Sequence, residues 1–140
     1  MMKRLQFDTG LVPYDLNGMV QVMFNPTDSA FVERLFHTFD ALDKKQDAYR
    51  EEVEKAAGSR EIFDIARKCD EEMRAMIDEV LGQPVCGTLF GKMNVYAMAD
   101  GLPVWCNLML VLMDEIDTSF AREQKATNPR IQKYTAKYHR

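Results

Sequence analysis

Hydrophobic positions recur at intervals of two near the start of the chain and at alternating intervals of three and four over much of the rest. Leu5-Gln6-Phe7 alternates, Thr9-Gly10 interrupts, and Val12-Pro13-Tyr14-Asp15-Leu16 alternates again. Asn17-Gly18 then precedes Met19-Val20-Gln21-Val22-Met23-Phe24. Asn-Gly between two alternating runs is a strong hairpin signal, because both turn residues must accept positive φ. Pro13 has no N–H to give a ladder, which confines its strand to an edge or an irregularity. The first 24 residues therefore predict a two- or three-stranded antiparallel meander, too small to stand without helices beneath it.

Asn25-Pro26-Thr27-Asp28 has the composition of a helix start, with Asn25 or Thr27 as N-cap and Pro26 at the first helical position. From there Val32, Leu35, Phe39, Leu42, Tyr49, Val53 and Ala56 keep the three-four spacing. Gln46 occupies one stripe position, and Phe31 and Phe36 widen the stripe in its first half. This is the seam of a helix packed lengthwise on a partner. Gly58-Ser59 reads as the break, with Gly58 in the left-handed C′ position and Ser59 as the next N-cap. Ile62, Ala66, Cys69, Met73, Met76 and Val80 form a second seam, ended by Leu81-Gly82-Gln83-Pro84. Two seams joined by so short a turn predict an antiparallel helical hairpin.

Beyond it, short helices are expected at Pro84–Phe90 and Met93–Ala99, and Asp100-Gly101 marks a turn. Pro103 suits the first turn of a last helix, Leu102 to about Ala126, whose early half is apolar around most of its circumference and expected to be core. The predicted fold is mainly α with a small N-terminal antiparallel β-meander (α+β): a long helical hairpin plus a C-terminal helix. One domain is expected over residues 1–126, with the meander at 1–24 and the helical body at 25–126. A flexible basic tail follows at 127–140.

Composition supports a folded chain. Of 140 residues, 34 are Leu, Ile, Val or Phe, enough for a core at this size without staples. The net charge of −4 conceals a gradient. From Ala121 onward six basic residues (Arg122, Lys125, Arg130, Lys133, Lys137, Arg140) face Glu123 alone, so that stretch is +5 and the rest of the chain −9. Tyr134 and Tyr138 interleave with the tail lysines as in a stacking surface, but the acidic body would repel a polyanion, so nucleic acid is not the expected partner. The longest apolar stretch, Leu102 to Met113, is broken by Asn107 and too short for a bilayer, and no signal-peptide pattern follows Lys3-Arg4. Cys69, Cys86 and Cys106 are an odd number without a C-x-x-C pair, which points to buried reduced thiols in a cytoplasm.

Little in the chain points to catalysis. His37 and His139 have no recognisable partners, and no Gly-Lys-Ser/Thr loop, G-x-S-x-G or H-E-x-x-H is present. The helical acids Glu51-Glu52, Asp70-Glu71-Glu72, Asp78-Glu79 and Asp114-Glu115 fail the E-E-x-x-E pattern of all-α pyrophosphatases and read as solvated faces. Neither an enzyme nor a cofactor or metal is expected. The ten methionines are a different signal. Most fall on expected core or seam positions, where they fill space or furnish an adaptable groove for a partner helix.

Three stretches carry a resemblance. Phe24-Asn25-Pro26-Thr27-Asp28-Ser29-Ala30-Phe31-Val32-Glu33-Arg34-Leu35-Phe36 is one, and Met93 through Cys106 (MNVYAMADGLPVWC) is another. With Asn128-Pro129-Arg130-Ile131-Gln132-Lys133-Tyr134, they resemble small proteins of prophage tail-morphogenesis gene blocks in Gram-positive bacteria. The family is the tail assembly chaperones of long, non-contractile-tailed phages. The resemblance implies a largely helical, non-enzymatic protein that keeps the tape-measure protein soluble while tail tube subunits polymerise around it. Residues expected to bind such a partner are Tyr49 and Val53 on the first seam, Met73, Met76 and Val80 on the second, and Arg130, Lys133 and Lys137 in the tail. A homo-oligomer is compatible with this. Two other readings stand beside it: a phage accessory protein that blocks a host defence protein, with Asp70, Glu71 and Glu72 imitating nucleic acid, and a structural subunit at a head or tail joint.

Overall fold

A computed structural model describes residues 1–125. Its elements are β1 (Val12–Leu16), β2 (Val20–Phe24), α1 (Ser29–Lys55), α2 (Ser59–Leu81), α3 (Cys86–Phe90), β3 (Met98–Ala99), β4 (Leu102–Pro103) and α4 (Val104–Lys125). The fold is mainly helical: an N-terminal two-stranded hairpin, an α1–α2 helical hairpin and a long last helix. One hydrophobic core joins residues from all of these.

The β1–β2 hairpin is antiparallel, with Leu16 opposite Val20 and Val12 opposite Phe24. Asn17 (φ 54°) and Gly18 (φ 68°) both take positive φ, as the Asn-Gly signal requires, and the Met19 N–H donates to the Leu16 carbonyl. The sheet has two strands, because Leu5-Gln6-Phe7 stays outside it and is exposed. An alternating pattern makes a strand only when a neighbour can take its hydrogen bonds, and Gly10 turns the chain at φ 75° before β1. Tyr14, Phe24 and Phe31 stack in succession with ring centroids 4.6 Å apart, fixing the hairpin to the start of α1. On the other side the Tyr14 hydroxyl donates to Glu115 Oε1, which also accepts from the buried Ser119 hydroxyl. Glu115 is thus an anchor and not part of a solvated acidic face.

The N-cap of α1 is Asp28, whose carboxylate accepts the Ala30 N–H at 3.0 Å. Neither Asn25 nor Thr27 caps it. Asn25 instead folds its side chain over the preceding turn, accepting from the Thr27 N–H and hydroxyl. At the other end, Ala56 is the C-cap and Gly58 the N-cap of α2. Gly58 is fully extended (φ −177°), so the left-handed role expected of it is not needed. Glu61 closes this end by accepting the Ala57 N–H. The left-handed stop falls at Gly82 (φ 74°), whose N–H reaches the carbonyls of Asp78 and Glu79.

The α1 seam packs on α2 as the periodicity predicts, with Leu35 and Leu42 fully buried. Phe36 is exposed and does not widen it. The polar interruption has a partner: Gln46 Oε1 accepts the Trp105 indole N–H at 2.6 Å, and Trp105 lies edge-on to Phe39. On α2 the buried stripe is Cys69, Met73, Ile77 and Leu81, turned from the expected one in its second half. A strict four-residue step drifts around the helix. It lets α2 face both α1 and the segment that follows α2.

That segment, residues 83–103, differs most from expectation. Only Cys86–Phe90 is helical; Met93–Ala99 forms no helix, and Met98–Ala99 pairs with Leu102–Pro103 across the Asp100-Gly101 turn. Pro103 therefore lies in β4, one residue before α4. Poor in internal ladder bonds, the segment is held by side chains of α2. Asp78 accepts the N–H groups of Val85 and Cys86 at 2.9 and 3.0 Å, and Asp70 accepts that of Val95 at 2.8 Å. Arg74 sits between them, with Nε on Asp70 at 3.0 Å, Nη1 on the Cys86 carbonyl and Nη2 on those of Gly91 and Met93. Asp70 and Arg74 are 16% and 18% exposed, so they are no part of a solvated face.

The last helix buries one seam (Trp105, Met109, Leu112, Ile116, Ser119) along its whole length. Its early half is not surrounded by protein, since Val111 on the opposite side is 60% exposed. Replacing Arg74 by Met should lower stability by about 2–4 kcal/mol, because it leaves Asp70 and three carbonyls without their charged donor. Urea unfolding checks this: the midpoint should fall with an unchanged slope.

Candidate partner-binding surface

The second half of α2 and the first half of α1 lie side by side in the antiparallel hairpin, with β2 across their ends. Two depressions open along this junction. The larger, about 730 Å³, is lined by Leu11, Met23 and Phe31 together with Arg34, Glu79 and Val80. The smaller, about 380 Å³, continues from the same Arg34, Glu79 and Val80 to His37, Ala41 and Met76. Because they share three side chains, they form one trough. Its apolar lining includes Leu11, Met23, Phe31, Met76 and Val80, and it carries Arg34 on one helix against Glu79 on the other, with Asp28 before α1.

Met76 and Val80 thus lie where a partner can reach them, each half-buried. Met73 does not: it has no exposed surface and belongs to the core, so binding through it would require the helical hairpin to open. Tyr49 and Val53 are half-buried but distant. Fifteen residues of helix separate Arg34 from Tyr49, about 22 Å at helical rise. Tyr49 stacks on Tyr96 at 4.6 Å and lines a separate small cavity with Lys45, Cys69 and Glu72. The expected site residues therefore do not form one surface. Arg130, Lys133 and Lys137 lie outside the described residues. The methionines missed by a core-filling reading are Met19, Met23, Met93 and Met98, all exposed. Met23 joins the trough together with Phe24, because the end of β2 lies across the helical hairpin there.

The acidic run Asp70-Glu71-Glu72 divides by function in the fold. Asp70 is engaged with Arg74 and Val95, Glu72 pairs with Lys45, and Glu71 is the exposed member. The Lys45 contact lowers the Glu72 carboxyl below its ordinary range, and Glu72 raises the Lys45 ammonium in turn. What the pair contributes is present at neutral pH, lost on acidification through the lowered Glu72 value, and lost at alkaline pH through the raised Lys45 value.

The three cysteines are free and buried. Burial pushes the Cys86 thiol up to about 12, with the Asp78 carboxylate adding to the shift, and raises Cys69 and Cys106 as well. The Tyr96 hydroxyl donates to Cys69 Sγ, and its own proton is held more tightly through burial and that contact. Such thiols are poor nucleophiles. Among the described residues no group of three or more His, Cys, Asp or Glu is placed to hold a metal, and no helix is long and apolar enough to cross a membrane.

Comparison with protein-family models finds no match, and comparisons with curated proteins and with solved structures find none. The site is therefore read from its own chemistry.

Two measurements check these environments. A chromogenic disulfide reagent at pH 8 should leave all three thiols untouched in the native protein and titrate them after unfolding in urea; rapid native reaction would contradict their burial. In Lys45→Met the NMR titration midpoint of the Glu72 carboxyl should move up toward the ordinary glutamate range.

Proposed function

We propose that this protein is a non-enzymatic phage tail assembly chaperone, acting in the cytoplasm of the bacterial host, that binds the tape-measure protein, tail tube subunits or both. The observation that carries the reading is the trough between α1 and α2. Its lining is apolar and adaptable at Met23, Met76 and Val80, and charges of both signs flank it at Arg34 and Glu79. A tape-measure chain is long, helical and patterned with apolar residues, and a helix of that kind lays its apolar stripe in such a groove. Thioether side chains repack at small cost, which suits a client whose successive turns differ. The three stretches that resemble tail assembly chaperones add support, since Phe24, Phe31 and Arg34 of the first stretch line this trough.

The basic tail has a separate part in the proposal. Arg130, Lys133 and Lys137 supply positive charge for handing the loaded complex to an acidic face of a tube subunit. The reading as a nucleic-acid mimic has less to rest on, because Asp70 and Glu72 already have partners within the chain.

Co-expression with the tape-measure protein of the same gene block tests the trough. Met76→Glu combined with Val80→Glu should abolish solubilisation of the client in a chain that circular dichroism shows still folded, with a lowered unfolding midpoint because both side chains pack in part against the core. Full solubilisation by the folded double variant would sink the reading. Lys133→Glu with Lys137→Glu should leave client solubility intact and slow tube assembly.

A further inference from the structure

Residues 1–7 carry large apolar side chains that stay exposed among the described residues. Leu5 and Phe7 are 87% and 84% exposed, although their alternation with Gln6 gives both side chains the same face of an extended segment. The segment is rooted firmly. Asn25 Nδ2 donates to the Thr9 carbonyl at 2.9 Å, and the Gly10 N–H donates to the Asp8 carboxylate. A Cβ at position 10 would fall 2.5 Å from the Asn25 amide nitrogen, and φ there is +75°, so glycine is required for this close seat. The arm departs from a fixed point, and Leu5 and Phe7 are left exposed among the described residues.

Elsewhere in the same chain lies an uncovered apolar depression of about 420 Å³, formed by Leu16, Leu89, Phe90, Met93, Leu108 and Val111. It shares no lining residue with the trough between α1 and α2. Val111 and Met93 are half or more exposed at its mouth. Asp15 is the one charged residue among its lining side chains, and it is acidic. The arm is basic just before its apolar pair, at Lys3 and Arg4.

We propose that the arm of one copy, through Leu5 and Phe7, occupies this depression on a second copy, with Lys3 or Arg4 beside Asp15. Two-fold exchange makes every contact twice and covers both apolar surfaces at once. The trough sets Arg34 beside Asp28 and Glu79, whereas Asp15 has no basic neighbour in the lining of the depression, so the depression is the better match for a basic arm. Strand addition to the hairpin is also disfavoured: Pro13 lacks an N–H in β1, and Gln83 already donates to the Gln21 carbonyl of β2 at 2.7 Å. The exchange does not depend on the chaperone reading, since it needs no client.

Sedimentation equilibrium of the full chain provides the test. Wild type should dimerise reversibly, and Phe7→Asp and Val111→Asp should each weaken the dimer roughly ten- to a hundredfold. Both side chains are exposed in the single copy, so both variants should fold, which circular dichroism verifies. Arg4→Asp should weaken the dimer, and Asp15→Arg in the same chain should restore part of the loss. A photo-crosslinker at position 7, in a mixture of light and heavy isotope-labelled protein, should join the arm to the Leu108–Val111 region in mixed-isotope pairs. A chain that stays monomeric at its highest soluble concentration, a dimer indifferent to both aspartates, or crosslinks confined to one chain would overturn the proposal.

Discussion

Three side chains on one face of α2, Asp70, Arg74 and Asp78, organise everything that follows that helix. They are one helical step of four apart and alternate in sign, and Arg74 pairs with Asp70 along the helix at 3.0 Å. What they meet is backbone. The connection from α2 to α4 has a five-residue helix and a two-residue ladder and cannot satisfy its own polar groups. Asp78 and Asp70 take the amides of Val85, Cys86 and Val95, and Arg74 takes carbonyls at Cys86, Gly91 and Met93. With those groups paired, Val85 and Val95 can be fully buried. The start of α4 then follows, because the Trp105 N–H donates to the Val95 carbonyl and that of Val104 to Ala97. Trp105 in turn reaches back to Gln46 and Phe39 on α1.

The same logic explains what the sequence discloses. Helix seams are legible because burying one face imposes a period, and the seams of α1 and α4 follow the chain's spacing, apart from the exposed Phe36 and Val111. The hairpin turn at Asn17-Gly18 is legible because few residue pairs accept two positive φ values. The α2 polar stripe is harder to read. Asp70, Arg74 and Asp78 are ordinary helix-surface residues in type, and their partners are backbone groups, which carry no compositional signature. For the same reason Met93–Ala99 looks helical in isolation: its pattern is apolar enough, and the constraint that unwinds it comes from a carboxylate twenty-five residues earlier. Gln46 is the instructive case. A polar residue in a seam is a discrepancy until the Trp105 indole is placed against it.

The candidate site was half legible for a related reason. Periodicity identifies which residues lie near a helix contact, but a few tens of degrees of rotation decide which are inside. Met73 and Met76 are adjacent in the expected seam, yet one is core and the other lines a trough. Met23 enters the trough only through the position of β2, which depends on the stacked Tyr14, Phe24 and Phe31. Two apolar surfaces are left over, the trough and the depression beside α4. Both surfaces carry methionine in their linings, Met23 and Met76 in the trough and Met93 in the depression.

Native-state hydrogen exchange of the Val85, Cys86 and Val95 amides, compared between wild type and Asp70→Asn, tests the primacy of the stripe. In wild type these amides should exchange only through the unfolding that exposes the α1–α2 core, sharing its denaturant dependence. In Asp70→Asn the Val95 amide should gain a local opening route, with the α1 amides still protected. If Val95 already exchanges locally in wild type, or its protection survives the substitution unchanged, then core packing, and not the α2 carboxylates and guanidinium, holds the connection in place.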